Sequence, residues 1–343
     1  MNQQRRIPRS AQQSPLLPNS GIQSTAISTS KFFRRQEVIV PIEPTFEPSQ
    51  GIREVRTSWL GKDPIQIVFD GRHLKTAEQN VVAEPDPEER FVGSQGGIVN
   101  LGIFLNVLRC YGALAKWHYD AIGSPLTAKC IPPAVGTRVY RLWEVLGLEA
   151  VLNKVQQPPH PFPLLEYQSR YVSPIIWVNE HNRKQVIDRC HLWIDDIGDR
   201  LGSPLQGHLL TTVPEIMTNL VKYGFAGGAF VISVWPSGQA EMLWTNRVDH
   251  LPHWAIANTA KMLAEICLQP GHGGSGMAYL LDVLLPTYTG VLAINHRGND
   301  VIFRAGNQVE IYGHGLRGDA FLPRSVLFSL ELFSPEVRER SIK

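Results

Sequence analysis

The pattern of apolar and polar positions divides this chain into two stretches of regular structure. In the first, Ile65-Gln-Ile-Val-Phe69 is rich in β-branched and aromatic residues, which is typical of a short strand. Apolar residues then recur with the spacing of one helix face: Leu101, Phe104, Leu105 and Leu108. A second helix is predicted from Arg138 to Leu152. A strand followed by helices predicts a small α/β domain over residues 51–155.

The second stretch carries the pattern of a larger mixed domain over residues 171–333. Its predicted elements are two helices, a hairpin and two later strands: 184–201, 213–223, 229–235 with 240–246, 290–295 and 300–304. Gly224 follows the second helix directly, and glycine is a frequent helix stop. Pro236 and Gly238 supply the turn of the hairpin.

Three segments lack such a pattern and are predicted to lie outside the folded domains. Residues 1–50 form a disordered basic tail, because the first 36 residues hold no acidic side chain and too little apolar surface to fold alone. Residues 156–170 form a linker, since four prolines between positions 156 and 163 favour extended backbone. Residues 334–343 are a C-terminal tail. Two domains suit a chain of 343 residues.

Composition and charge narrow the class of function. The chain is 43% apolar and 19% charged, as in ordinary globular proteins, and its formal net charge is +2. A charge so close to zero gives no whole-molecule field that would favour nucleic acid as the main partner. The four cysteines lack the spacing of a zinc site, and no apolar run is long enough to span a bilayer. A cytoplasmic protein without membrane association is expected, with small molecules and other proteins as its ligands.

One predicted helix places a carboxylate and an amide on the same face. Glu215 and Asn219 are four residues apart, so their side chains point the same way. An amide oxygen is a hard, uncharged ligand suited to Mg²⁺, and a carboxylate can take a proton from an attacking water or hydroxyl. Lys222 is placed to reach a phosphate as a point charge. Each residue alone is more typical of a solvated helix face, so only the combination indicates nucleotide chemistry.

A glycine-rich run precedes another apolar stretch downstream. It reads Gly271, His272, Gly273, Gly274, Ser275 and Gly276, followed by Met277. Glycines allow backbone amides to approach a polyphosphate, and the N-terminus of a following helix presents free N–H groups to an anion. The run lacks the Gly-Lys-Ser/Thr ending of a P-loop. It is predicted to cradle phosphate groups.

Together these two segments resemble the motifs of a known ATPase class. The segment Glu215-Ile-Met-Thr-Asn-Leu-Val-Lys-Tyr-Gly224 resembles the N-box of the ATP-binding domains shared by histidine kinases, Hsp90, gyrase and MutL, the GHKL class. The glycine-rich run 271–277 resembles their G2 box, and the two stand in the family's order. The resemblance covers residues 171–333. It implies a Bergerat-type α/β fold, an α+β two-layer sandwich, that binds ATP and Mg²⁺.

The resemblance also implies roles for individual residues. Glu215 would be the base or water-orienting group, Asn219 would hold Mg²⁺ and Lys222 would contact phosphate. The loop would close over the β- and γ-phosphates through Gly271, Gly273, Gly274, Ser275 and Gly276. Where the family has an adenine-binding aspartate, this chain has Asn246, whose amide oxygen can still accept a hydrogen bond. Asp249 is a second candidate for the adenine contact.

The first domain carries a fainter resemblance. The run Phe91-Val-Gly-Ser-Gln-Gly96 is similar to the Phe-x-Asp-Ser-x-Gly turn of STAS domains, whose serine is phosphorylated by kinases of the same ATPase class. Ser94 stands at the matching position, and Gly93 replaces the acidic neighbour. A small STAS-like α/β domain is therefore expected ahead of the ATPase-like one. Ser94 is expected to cap the helix rather than to accept phosphate.

Two functions from different classes follow from these patterns. The first is an ATP-binding regulatory protein that switches a partner interaction by Mg-ATP-dependent hydrolysis or by phosphorylating a serine of a protein partner. The second is a catalytically degenerate scaffold of the same fold that works as a protein-interaction module. The retained Glu215, Asn219 and Lys222 favour the first function, whereas Asn246 in place of aspartate favours the second.

Overall fold

A three-stranded parallel sheet and a nine-stranded antiparallel sheet form the framework of the protein in a computed structural model. The structure describes residues 36–59, 61–74, 101–153, 162, 165–167, 170–201, 203–224, 227–236, 238–248, 250–269, 274–305, 308–313 and 325–333. All of these described residues belong to one compact unit. Among the helices in the described ranges, none is both long and apolar enough to cross a bilayer.

Strands and helices alternate in the first half of the chain, and strands cluster in the second. The strands are β1 (Gln36–Pro41), β2 (Ile65–Asp70), β3 (Thr127–Ile131), β4 (Leu165–Tyr167), β5 (Arg170–Val172), β6 (Ile176–Val178), β7 (Gly228–Val234), β8 (Gln239–Arg247), β9 (Val291–His296), β10 (Asn299–Arg304), β11 (Gln308–Gly313) and β12 (Ser325–Phe333). The helices are α1 (Pro48–Ser58), α2 (Gly102–Ile122), α3 (Arg138–Leu146), α4 (Leu148–Leu152), α5 (Arg183–Leu201), α6 (Ser203–Tyr223), α7 (Pro252–Ile256), α8 (Ala260–Leu268), α9 (Gly274–Tyr279) and α10 (Leu285–Tyr288). A π-helical segment, Leu280–Leu284, joins α9 to α10.

The parallel sheet has the strand order β1-β2-β3, and its strands pair in a continuous register. Val38 lies beside Ile67, and Ile67 lies beside Ala128. The helices α1 and α2 close one face of this sheet with apolar side chains: Ile52, Val55, Phe104, Leu105 and Leu114. Burial of these side chains is what holds the two helices against the sheet.

The antiparallel sheet has the order β11-β10-β9-β12-β8-β7-β5-β4, and β6 also pairs with β7. The last strand, β12, therefore lies in the middle of the sheet, between β8 and β9. It pairs with β8 along its whole length, from Ser325 opposite Arg247 to Phe333 opposite Gln239. The centre of the sheet thus combines segments that are far apart in the sequence.

Both faces of the antiparallel sheet are buried at its centre. All seven residues of β7 are buried, and successive side chains point to opposite faces. Phe230 and Ile232 pack with the helices α5, α6 and α8. Ala229 and Val231 pack into the core that α2 shares with the parallel sheet. The helix α2 is therefore a layer between the two sheets.

A buried arginine on α2 adds polar contacts between these layers. Arg109 is only 4% exposed. Its guanidinium donates to the Ser325 hydroxyl at 3.2 Å, to the Ser325 carbonyl at 3.1 Å and to the Asn295 carbonyl at 3.4 Å. Burial lowers the pKa of Arg109 to about 10, although the nearby carboxylates of Glu47 and Asp300 act in the opposite direction. The guanidinium is therefore still charged at neutral pH.

The predicted mixed α/β class is confirmed, with one parallel and one antiparallel sheet. The predicted helix 138–152 is in fact two helices, α3 and α4, which meet at Gly147. The predicted helix 213–223 begins earlier, at Ser203. Its interior proline conceals this in the sequence, because proline usually marks the first turn of a helix.

Two segments that were assigned to unfolded regions contain strands. β1 lies within residues 1–50, which were predicted to form a tail. This segment is ordered because Val38, Val40 and Ile42 are buried in the core that α1 and α2 cover. β4 lies within the predicted linker 156–170 and pairs with β5 at the edge of the sheet. Ser94, the residue of the STAS-like turn, lies outside the described residues.

Candidate functional site

A pocket opens between α6, β8, α7 and the helical segment that begins with α9. The empty space in the pocket, including the part that is open to solvent, is about 610 Å³. Most of its wall is apolar or aromatic: Ile216, Leu220, Tyr223, Trp244, Val248, Leu251, Trp254, Met277, Leu280 and Phe328. Its remaining wall is polar: Glu215, Asn219 and Asn246. An apolar pocket with a few convergent polar groups is the usual form of a small-molecule site.

The helix α6 brings Glu215 and Asn219 to the pocket one turn apart. The Asn219 amide lies 3.5 Å from a Glu215 carboxylate oxygen, at the limit of a hydrogen bond. Pro214, inside the helix, has no N–H, so the Leu210 carbonyl lacks its usual helical donor. Nε2 of His191, on α5, lies 3.1 Å from that carbonyl and replaces the missing donor. The helix therefore continues past the proline and presents the polar pair.

The strand β8 presents Asn246 to the same pocket. Asn246 is 7% exposed, and its side-chain oxygen Oδ1 has no hydrogen-bond partner. On either side of it in the sheet stand Gly228 of β7 and Val326 of β12. A buried acceptor without a partner costs free energy, typically about 1–3 kcal/mol. A ligand that donates a hydrogen bond here would recover that free energy.

Three aromatic side chains form one side of the pocket. The rings of Trp244 and Phe328 are stacked, with 5.0 Å between their centroids and 9° between their planes. The ring of Trp254 meets Phe328 edge-on at 6.1 Å. Trp244 and Phe328 are cross-strand partners on β8 and β12, which explains their stacking. Such a wall suits a planar aromatic ligand.

The helical segment after the glycine-rich run forms the opposite side through Met277 and Leu280. In the described backbone α9 begins at Gly274, so Gly274, Ser275 and Gly276 form its first turn. Gly271 and Gly273 lie outside the described residues, as does Asp249, the second candidate for the adenine contact. The helix passes into the π-helical segment, where the Leu285 N–H donates to the Leu280 carbonyl five residues back.

Lys222 lies away from the pocket wall, unlike the other two polar residues of its motif. It is exposed, and its ammonium lies 4.8 Å from the centre of the Tyr223 ring. A hydrogen bond with Tyr223 raises the pKa of Lys222, and Glu215 adds to that shift. The predicted phosphate contact of Lys222 therefore requires its side chain to leave Tyr223, which itself lines the pocket.

The pocket combines three kinds of group. It has an aromatic wall, a buried acceptor at Asn246 without a hydrogen-bond partner, and two oxygen-bearing side chains, Glu215 and Asn219, on one helix face. Within the described part of the chain, no cluster of three or more His, Cys, Asp or Glu residues could hold a metal ion on its own. The side chains of the pocket wall that could hold Mg²⁺ together with a ligand's phosphate oxygens are Glu215 and Asn219.

Sequence reasoning missed the aromatic wall. Trp244 was assigned only to a hairpin strand, and Phe328 and Trp254 were assigned no role. The alternation of Ser325-Val-Leu-Phe-Ser-Leu-Glu-Leu-Phe333 is a strand signal, but it gives no information on which strand lies beside it. The stacking depends on the placement of β12 beside β8.

Close packing behind Asn246 gives a first testable prediction. A Cβ atom on Gly228 would lie 2.6 Å from Leu220 Cδ2, 2.6 Å from the Thr245 carbonyl and 3.0 Å from Asn246 Cβ. We therefore expect Gly228→Ala to lower the free energy of unfolding by about 1–2 kcal/mol through overpacking. Urea titration followed by circular dichroism measures this free energy.

The matched control is Gly112→Ala, on the exposed side of α2. A Cβ there has no atom within 4 Å, so helix propensity alone acts and the substitution should stabilise the protein, by up to about 1 kcal/mol. If both substitutions stabilised the protein, the inference that β7 packs tightly against α6 and Asn246 at Gly228 would be wrong.

Comparison with models of protein families, with curated proteins and with solved structures gave no match.

Proposed function

We propose that this protein is an ATP-binding regulatory protein of the histidine-kinase-like ATPase class. ATP binds in the pocket between α6 and α9 together with Mg²⁺. Hydrolysis of the nucleotide, or transfer of its terminal phosphoryl group to a serine of a protein partner, then switches the interaction with that partner.

One observation carries the proposal: residues from two motifs that were singled out in the sequence line one pocket. Glu215 and Asn219 come from α6, and Met277 comes from the helix after the glycine-rich run. Asn246, from the strand where the family has its adenine-binding aspartate, completes the set. These residues are distant in the sequence, so their meeting in an apolar pocket is not a consequence of local structure.

The residues of the pocket divide the proposed task. The aromatic wall of Trp244, Phe328 and Trp254 packs against the base, and Asn246 accepts a hydrogen bond from it. Glu215 accepts a proton from, or orients, the attacking water or hydroxyl group. The first turn of α9 faces the phosphates. A neutral amide at position 246 accepts a weaker hydrogen bond than a carboxylate would.

Mg²⁺ fits the donor set of α6. The amide oxygen of Asn219 is an uncharged hard ligand, and the neighbouring Glu215 carboxylate favours a cation nearby. When bound, Mg²⁺ would neutralise charge on the phosphate oxygens. Asn219 then orients the phosphate chain relative to Glu215, and their 3.5 Å contact keeps the two side chains side by side.

A catalytically degenerate scaffold is the second candidate, favoured by two observations. Asn246 replaces the carboxylate that the resemblance implies at this position, and Lys222 lies against Tyr223 instead of in the pocket. In that case the fold would serve as a protein-interaction module, and its pocket would bind nucleotide weakly or not at all.

Calorimetric titration with a non-hydrolysable ATP analogue, with and without Mg²⁺, tests the proposal. We expect binding that strengthens with Mg²⁺, and we expect Asn219→Ala to abolish that Mg²⁺ dependence because the metal ligand is lost. Glu215→Ala should bind the analogue but fail to turn over ATP. The matched control is Lys116→Ala on the exposed side of α2, which should behave as the unmodified protein.

Absence of binding to the unmodified chain under both conditions would overturn the proposal and favour the scaffold. Normal ATP turnover by Glu215→Ala would show that the assignment of the base is wrong.

A further inference from the structure

Three side chains of the β9–β10 turn reach the short helix that carries one wall of the pocket. His296 Nε2 lies 3.1 Å from the Trp254 carbonyl. The Arg297 guanidinium donates to the Ala255 carbonyl at 2.8 Å, and the Asn299 amide donates to the Asn258 carbonyl at 3.4 Å. The Trp254 carbonyl also accepts from the Ala257 N–H at 3.3 Å, so His296 adds a second donor to it. Arg297 and Asn299 supply donors to carbonyls at and after the C-terminal end of the helix, where helical donors run out.

The backbone of this turn is unusual in a way that points to the same contact. Arg297 and Gly298 both have positive φ, 52° and 73°, as in a two-residue hairpin turn of type I′. Asparagine or glycine is preferred at the first of these positions, and an arginine there is conformationally strained. The hydrogen bond from the Arg297 guanidinium to the Ala255 carbonyl offsets this conformational strain.

On its other side His296 contacts β12, which Arg109 of α2 also contacts. Its Nδ1 lies 3.4 Å from the Ser325 carbonyl, which also accepts a hydrogen bond from Arg109 at 3.1 Å. His296 is 1% exposed, and burial lowers its pKa to about 4, so the ring is neutral and carries one N–H. The contact with the Trp254 carbonyl is the shorter of the two, which favours the tautomer that carries this proton on Nε2.

We propose that the turn residues His296, Arg297 and Asn299 form a clamp that positions α7, and with it the Trp254 wall, for ligand binding. None of the three lines the pocket. They are positioning residues that act through the carbonyls of Trp254, Ala255 and Asn258. The nature of the ligand rests on the proposed function, whereas the clamp itself rests on these contacts alone.

Two substitutions of His296 separate the effect of losing the hydrogen bond to Trp254 from the effect of a lower overall stability. A glutamine amide nitrogen can take the place of Nε2 and donate to Trp254, whereas an asparagine amide nitrogen takes the place of Nδ1 and faces Ser325. We expect His296→Asn to raise hydrogen exchange in a peptide spanning 250–258, and to weaken binding of the ATP analogue, each by about fivefold, the factor for one lost hydrogen bond. His296→Gln should restore both values to within about twofold of the unmodified protein.

A second variant tests the clamp without destabilising the turn. Arg297→Asn removes the contact with Ala255 but places a favoured residue at the positive φ, so the turn itself should be no less stable. It should raise exchange at 250–258 while the unfolding midpoint in urea stays unchanged. Arg304→Ala, at the far end of β10, is the matched control and should leave exchange at 250–258 unchanged.

The outcomes distinguish the two proposals. If the unmodified chain fails to bind the analogue, the ATP assignment fails, and the exchange data alone decide on the clamp. Equal exchange at 250–258 in the His296→Asn, His296→Gln and unmodified proteins would overturn the clamp, as would unchanged exchange in Arg297→Asn.

Discussion

We expect Arg109→Ala to lower the free energy of unfolding by about 3–5 kcal/mol, the usual range for removing one partner of a buried charged network. The substitution leaves the Ser325 and Asn295 carbonyls without the guanidinium donor. It also removes a positive charge that lowers the pKa values of Glu47 and Asp300, which burial raises. Urea titration monitored by tryptophan fluorescence measures the loss.

The control for this prediction lies on the same helix. Lys116 pairs with Asp120 at 2.6 Å on the exposed side of α2, so Lys116→Ala should change the free energy of unfolding by less than about 0.5 kcal/mol. A loss below about 1 kcal/mol in Arg109→Ala would show that apolar packing alone joins the two halves. The contacts of Arg109 with β9 and β12 would then be incidental.

Acid should destabilise the protein through His296 well above the range in which ordinary carboxylates titrate. In the unfolded chain this histidine has a pKa near 6.5, whereas burial lowers it to about 4 in the folded protein. Below pH 6.5 the unfolded state therefore binds a proton that the folded state does not, and stability falls as the pH falls towards 4. The expected loss between pH 7 and pH 5 is about 2 kcal/mol.

His296→Gln isolates this contribution, because glutamine keeps the donor to Trp254 but does not titrate. The groups that face the imidazole are the two carbonyls of Trp254 and Ser325 and the cations Arg297 and Arg109, none of which titrates in this range. Glu47 and Asp300 have raised pKa values in the folded protein, so their protonation adds stability as the pH falls. This contribution is the same in the unmodified protein and in His296→Gln. We expect the stability difference between pH 7 and pH 5 to be smaller in the variant by about 2 kcal/mol. An identical pH dependence of the two proteins would show that the ring is hydrated and not buried.

Local periodicity was sufficient for much of the second half of the chain. The predicted helix 184–201 corresponds to α5, and the hairpin and two later strands correspond to β7, β8, β9 and β10 within two residues. These elements bury a continuous face, so their period is visible in the sequence. The insertion of β12 between β8 and β9 and the parallel pairing of β1 with β2 depend on contacts between distant segments, which no local pattern reports.

In the pocket, too, local spacing predicted some residues, whereas others depend on contacts between distant segments. Glu215 and Asn219 were placed on one face by their spacing of four residues, and the structure puts both on the pocket wall. Asn246 was singled out because it stands where the resembled family has its adenine-binding aspartate, and it too lies on the pocket wall. Trp254 and His296 were not singled out, because their roles arise only when the β9–β10 turn folds back onto α7. Their chemistry depends on tertiary contacts rather than on spacing.

The burial of both faces of the antiparallel sheet restricts how such a protein can evolve by recombination. A gene segment that encoded only the second half would lack α2, so the face that carries Ala229, Val231 and Leu243 would meet water as a broad apolar surface. Exchange of the first half for an unrelated domain would leave the same surface without its complement. We therefore expect that the side chains on α2 and on β7 and β8 can change only together, and that neither half can be exchanged alone without loss of stability.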